Sequence, residues 1–215
     1  ANDNFKIYIT EAKKFGTKYI YSDHGGGLAL ATDDGQKLDS LFNINEKIAD
    51  KIIRYNRTEN KNAYFFLSPT LPIIRHKKRK KGNNCSIIFV EMRKYPVKFT
   101  TGPELAQSID LFHELTQFTN NLNSEIRSKI KLRTKTHLFN KGYNYERRFS
   151  EMFGEKSVDK YSLKNSFGSF INTLTNSKLV VVTYPQSAFS EAMYTNIPTI
   201  LIIKKNHWYF TKINK

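Results

Sequence analysis

Three clusters of residues in the 215-residue chain have types and spacing that could do chemistry. The strongest is Val181-Val182-Thr183-Tyr184-Pro185-Gln186-Ser187-Ala188-Phe189-Ser190-Glu191-Ala192. An apolar strand there delivers its carboxyl end to a short loop, and a helix begins at once. Ligands of open α/β sheets bind at the carboxyl ends of strands. A helix start offers unpaired N–H groups and a positive dipole end, which suit phosphate. Ser187 adds a hydroxyl, and Glu191 lies one turn deeper on the same face, where a carboxylate could hold ribose hydroxyls. The alternative is a Ser187 that only caps the helix and a Glu191 that is solvated. A capping box places its acid three residues after the cap, not four.

The second cluster is Asp23-His24-Gly25-Gly26-Gly27. Glycines let the backbone approach a ligand closely. A histidine after a strand is suited to proton transfer or to a phosphate contact. A plain surface turn is the competing reading. No Gly-Lys-Ser/Thr follows, so the segment is not a Walker loop. The third cluster is Lys131, Arg133 and Lys135 at a strand end, followed by Arg147 and Arg148. Arg133 could clamp a diphosphate with two parallel hydrogen bonds; basic residues on a basic surface are the alternative. His207 and Trp208 follow the last strand and either cover a ligand in a cleft or plug the core. His76, His113 and His137 show no metal-ligand spacing, and no metal is expected.

These clusters need elements to hold them. Residues 4–16 read as part of an amphipathic helix followed by a strand. Residues 18–22 read as a strand running into the glycines. The spacing of Leu38, Leu41, Ile44, Ile48 and Ile52 predicts a helix over 37–55. Strands are expected at 63–67, 85–92 and 129–133, with two prolines, Pro69 and Pro72, stopping the first. Gly102-Pro103-Glu104 predicts the start of a helix that runs to about 128. Helices follow at 145–153, closed by Gly154, at 166–175 and at 187–195. The runs 179–183 and 199–203 are continuously apolar, as strands buried on both faces of a parallel sheet are. Alternating strands and helices make the class α/β with a doubly wound parallel sheet.

Composition sets the limits. Hydrophobic residues make up 39% and aromatics 13%, enough for a substantial core. No run reaches the roughly 20 apolar residues of a membrane span, and no signal peptide is visible. One cysteine, Cys85, excludes an internal disulfide and a cysteine zinc cage, and a reducing cytoplasm fits. Lys and Arg number 35 against 19 Asp and Glu, a formal charge of +16. The run Arg75-His76-Lys77-Lys78-Arg79-Lys80-Lys81 holds six of the positive charges, and +10 remains without it. A solvated loop and a membrane-surface patch explain the run equally well. Nucleic acid ranks below both, because no aromatic residues are interleaved for stacking.

Four blocks together resemble a known family. They are His24-Gly25-Gly26-Gly27, Ser68-Pro69-Thr70-Leu71-Pro72, the Leu132-Arg133 strand end, and the 181–191 segment continued by Asn196-Ile197-Pro198-Thr199-Ile200 and His207-Trp208. The chain resembles the GT-B-fold transferases of bacterial surface-polysaccharide biosynthesis, distantly similar to Kdo transferases and CDP-glycerol glycerophosphotransferases. The resemblance implies a glycosyltransferase with its active site in a cleft between two domains. Residues 1–60 would be the end of the N-terminal domain and residues 61–215 a truncated Rossmann-like nucleotide-binding domain, both ends being cuts through a larger enzyme. Gly25, Gly26, Arg133, Thr183, Ser187 and Glu191 would bind the donor nucleotide and its phosphates, His24 would be the catalytic base or a phosphate contact, and His207 would lie at the cleft. No cofactor or metal is implied, the nucleotide-sugar being a substrate. The acceptor would be a lipid-linked glycan or polysaccharide in surface polysaccharide or lipopolysaccharide synthesis, made in the cytoplasm with peripheral contact at the inner membrane. The rival reading is a non-catalytic basic module that binds membrane surface or nucleic acid.

Overall fold

The computed structural model describes residues 3–22, 47–55, 61–66, 70–75, 82–89, 107–134, 144–159, 167–184, 187–204 and 207. The chain divides into two compact units, Ala1–Pro69 with Tyr209–Lys215, and Thr70–Trp208.

In the first unit, helix α1 (Asp3–Lys14) precedes three parallel strands, β1 (Ile20–Ser22), β2 (Lys51–Arg54) and β3 (Ala63–Phe65), in the order β1-β2-β3. Ile9 of α1 and Ile52 of β2 are buried. The turn into β2 is held by Asp50, whose carboxylate accepts the Tyr19 N–H at 2.7 Å and pairs with Lys13 at 3.2 Å. Those contacts, the Tyr19 N–H first, hold the Asp50 carboxyl below its usual range.

The helix predicted over 37–55 is corrected here. Lys47 and Ile48 are helical, but 51–54 is the central strand of this sheet. Ile52 satisfied the helical spacing by position alone. The adjacent β-branched Ile52 and Ile53 suit a strand with a ladder on each side. Residues 23–46 lie outside the described residues.

The second unit is built on four parallel strands, β4 (Asn84–Phe89), β5 (Ile130–Thr134), β6 (Ser177–Val182) and β7 (Thr199–Leu201), in the order β5-β4-β6-β7. Its helices are α2 (Thr70–Arg75), α3 (Gln107–Asn120), α4 (Ser124–Arg127), α5 (Tyr145–Phe153), α6 (Phe167–Thr175) and α7 (Ser187–Tyr194), with a 3₁₀ turn at Glu155–Ser157. The α/β class and the doubly wound parallel sheet are as expected. The chain leaves β4 through α3 to β5 on one side, and leaves β6 through α7 to β7 on the other. Right-handed crossovers in opposite directions put their helices on opposite faces.

The core divides accordingly. On one face Cys85, Ile87 and Phe89 of β4, with Ile130, Leu132 and Val181, pack on Leu111, Phe112 and Leu115 of α3 and on Tyr145 and Phe149 of α5. The aromatic rings meet edge-on or tilted, Phe89 at 4.9 Å and Phe112 at 4.7 Å from Tyr145. On the other face Ile88, Val180 and Val182 pack on Leu174 of α6, Ala192 of α7 and Ile197.

Local signals explain most boundaries. Gly154 takes φ 86° and its N–H closes α5 on the Ser150 carbonyl at 2.8 Å. Asn196, with φ 55°, turns the chain after α7 and Pro198 follows. The single helix expected from 102 to 128 is two. Asn123 interrupts it, its side chain accepting the Ile126 N–H at 2.8 Å to cap α4. Of the two prolines expected to stop the strand at 63–67, the second lies inside helix α2. Pro72 sits in its first turn, where the missing N–H costs no helical bond.

Phe149 is fully buried between α3 and α5. Phe149→Ala should destabilise the protein by about 3–5 kcal/mol, read as a lowered urea midpoint.

Candidate functional site

Adjacent strands β4 and β6 send their chains in opposite directions, so a topological switch point lies between their carboxyl ends, the place where open α/β sheets take ligands. Thr183, just past β6, sits there. It is buried, with its N–H on the Ile88 carbonyl at 3.2 Å and its hydroxyl on the same oxygen at 3.4 Å. Helix α7 then starts at exposed Ser187, so its first-turn N–H groups face that end of the sheet. Glu191, one turn in, is buried at 7% exposure rather than solvated. The helix is fixed from below by Ala188, Phe189 and Ala192 against β6 and β7. Three expected donor residues, Thr183, Ser187 and Glu191, therefore belong to one strand–loop–helix corner.

Arg133 lies elsewhere. It is in β5, the strand on the far side of β4, on the face covered by α6, and only 6% exposed. Its guanidinium donates to the Ser169 hydroxyl at 2.9 Å, to the Thr173 hydroxyl at 3.0 Å and to the Ser169 carbonyl at 3.4 Å. The Phe170 ring lies 5.6 Å away. Burial lowers its pKa, and the nearby Asp159 carboxylate opposes that shift. Neither Asp159 nor the pair on α6 was singled out from the sequence, since nothing in their spacing marks them.

His207 is buried at 1% exposure, in a turn closed by its N–H on the Lys204 carbonyl at 2.9 Å. Lys131 donates to the Lys156 carbonyl, and Arg147 pairs with Glu151 at 2.8 Å on the exposed side of α5. His24, Gly25, Gly26 and Lys135 lie outside the described residues. Among the described residues no group of three or more His, Cys, Asp or Glu could hold a metal ion, and no helix is long and apolar enough to cross a membrane.

A family model described as LIC12162 family transferase matches residues 1–215, the whole chain. The chain belongs to this transferase family. No curated protein and no solved structure matches it. The fold of this transferase agrees with that membership: an α/β unit with a doubly wound parallel sheet, consistent with a Rossmann or GT-B-like domain.

Arg133→Ala leaves Ser169, Thr173 and Asp159 without their cation and should cost about 2–3 kcal/mol in urea denaturation. Arg133→Lys should recover little of it, because an ammonium cannot reproduce the planar fork. Burial pushes the Cys85 thiol up from its ordinary 9.0 to about 11. The folded thiol thus keeps a proton that the unfolded one releases. The stability this contributes is complete below pH 9 and lost as pH rises through 11. Stability should fall less steeply over that window in Cys85→Ala than in the unaltered chain.

Proposed function

We propose that the chain is the donor-binding portion of a metal-independent glycosyltransferase of surface-polysaccharide or lipopolysaccharide biosynthesis. The observation that carries this reading is the corner after β6, where Thr183, Ser187 and Glu191 share one loop and helix start beside the switch point. The whole-chain match to a transferase family supports it.

In this reading the second unit, Thr70–Trp208, is the nucleotide-binding domain. The donor's phosphates lie against the start of α7 and the Ser187 hydroxyl, with Thr183 shaping the floor. Glu191 takes ribose hydroxyls. Gly25 and Gly26 are further phosphate-binding candidates in this reading, and His207 a further candidate of the site.

In the transfer step the acceptor hydroxyl oxygen bonds to the sugar's anomeric carbon as the bond from that carbon to the phosphate oxygen breaks. His24 takes the hydroxyl proton. The electron pair leaves with the nucleotide phosphate, and helix N–H groups and cationic side chains stabilise the charge that develops there. The acceptor is a lipid-linked or growing glycan at the cytoplasmic side of the membrane, a setting that the +16 charge suits.

Calorimetric titration with CMP, CDP, UDP and GDP tests this directly. One nucleotide should bind in preference to the others, and Glu191→Ala and Ser187→Ala should each weaken it by about tenfold, the worth of one or two hydrogen bonds to a charged group. Binding that ignores the base, survives both substitutions and disappears with added salt would instead identify a non-catalytic polyanion-binding module.

A further inference from the structure

On the face of the second sheet that α6 covers, and toward the amino ends of the strands, lies a cavity of about 310 Å³. Asn84 and Ser86 of β4 form one wall, Lys131 of β5 another, and Thr173 and Asn176 at the end of α6 the roof. Lys156 and Asp159 stand at its edge. This is the opposite end of the strands from the switch point.

Val158 and the aliphatic stems of Lys131 and Lys156 make much of the lining apolar, and the polar groups among them are biased in charge. The hydroxyls of Ser86 and Thr173 belong to buried residues. Lys131 is steadied by its bond to the Lys156 carbonyl, and the Lys156 side chain is exposed. Asp159 accepts from the Thr173 hydroxyl and has the Arg133 cation behind it, so its charge is compensated within the protein. The carbonyls that end α6 are also occupied. Asn172 O takes the Asn176 amide at 2.7 Å and Thr173 O takes the Ser177 hydroxyl at 2.6 Å. The negative pole of the helix is thereby blunted, and the two ammonium groups are left to set the sign of the site.

Gly82, which leads into β4, packs tightly here: a Cβ there would run into the backbone of Asn176, which lines the cavity.

We propose that this cavity is a second anion site, taking a phosphate group of a phosphorylated ligand independently of the donor end of the sheet. Phosphate oxygens match the ammonium groups of Lys131 and Lys156 in its lining.

Inorganic pyrophosphate titrated into the full chain by calorimetry tests the proposal. Lys156→Gln, in an exposed side chain, and Lys131→Gln should each raise its Kd about fivefold, the worth of one exposed charge contact. Each lysine change is also read in the Ser187→Ala background, which removes the donor-phosphate contact at the start of α7, and the fivefold effect should persist there. No binding at millimolar pyrophosphate overturns the proposal. So does binding that Ser187→Ala abolishes and the lysine changes spare, because the anion then sits at the start of α7. Vesicles of phosphatidylcholine with and without phosphatidic acid identify the source. Capture that needs phosphatidic acid and is lost in Lys156→Gln supports the site as one for a lipid phosphate. Pyrophosphate binding without capture supports it as one for a free phosphorylated metabolite.

Discussion

The pairing of β4 with β6 is the constraint on which the second unit depends. It joins segments that lie far apart in the chain, and the buried Ser86 and Ser177 hydroxyls that meet across it at 2.6 Å are 91 residues apart. Closing so long a loop costs entropy that local contacts cannot return. The return comes from burial, since both strands are covered on both faces: Ile87 and Val181 look toward α3 and α5, Ile88 and Val182 toward α6 and α7. Once these strands are neighbours, β5 and β7 must flank them. The handedness of the crossovers then assigns each helix to its face, and the corner after β6 comes to lie beside the end of β4.

Much of this was legible because the signals were short-range. A strand buried on both faces must be apolar at every position, and 179–182 reads that way. Gly154 and Asn196-Ile197-Pro198 terminate their helices by φ preference alone, which no tertiary contact is needed to interpret. The misreadings have the opposite character. Ile52 fits a helical repeat and a strand equally well, and only the flanking β1 and β3 decide. Pro72 is a breaker or a first-turn residue depending on where the helix starts. Asn123 caps a new helix because the fold lets the old one end.

The candidate site shows the same division. Thr183, Ser187 and Glu191 were found together because they are consecutive on one strand–helix corner. The burial of Glu191 was not foreseeable from their spacing. The surroundings of Arg133 were not legible at all. Its partners Ser169 and Thr173 lie 36 and 40 residues further on, and only the arrival of α6 over β5 brings them to it. An arginine at a strand end looks like a ligand clamp in sequence. Desolvated beneath a helix, the same fork becomes a tie between a strand and its cover.

The contrast between Arg133 and Lys131 follows from lengths. Both point to the same face of β5, two residues apart, yet one is enclosed and the other opens on a cavity. Helix α6 has 9 residues and at 1.5 Å per residue spans about 13 Å, whereas the 6-residue strands beneath it span about 17–20 Å. Running from the carboxyl end of the sheet, it covers Arg133 with its first turns and runs out above Lys131. Beyond its end the same face carries buried Ser86 and half-buried Asn84 and Lys131 in place of the isoleucines and valines that α6 and α7 protect. Polar side chains there tolerate a recess at this end of the sheet, and a recess lined by lysines concentrates anions. A longer α6 would have demanded apolar residues at these positions and left no second site to fill.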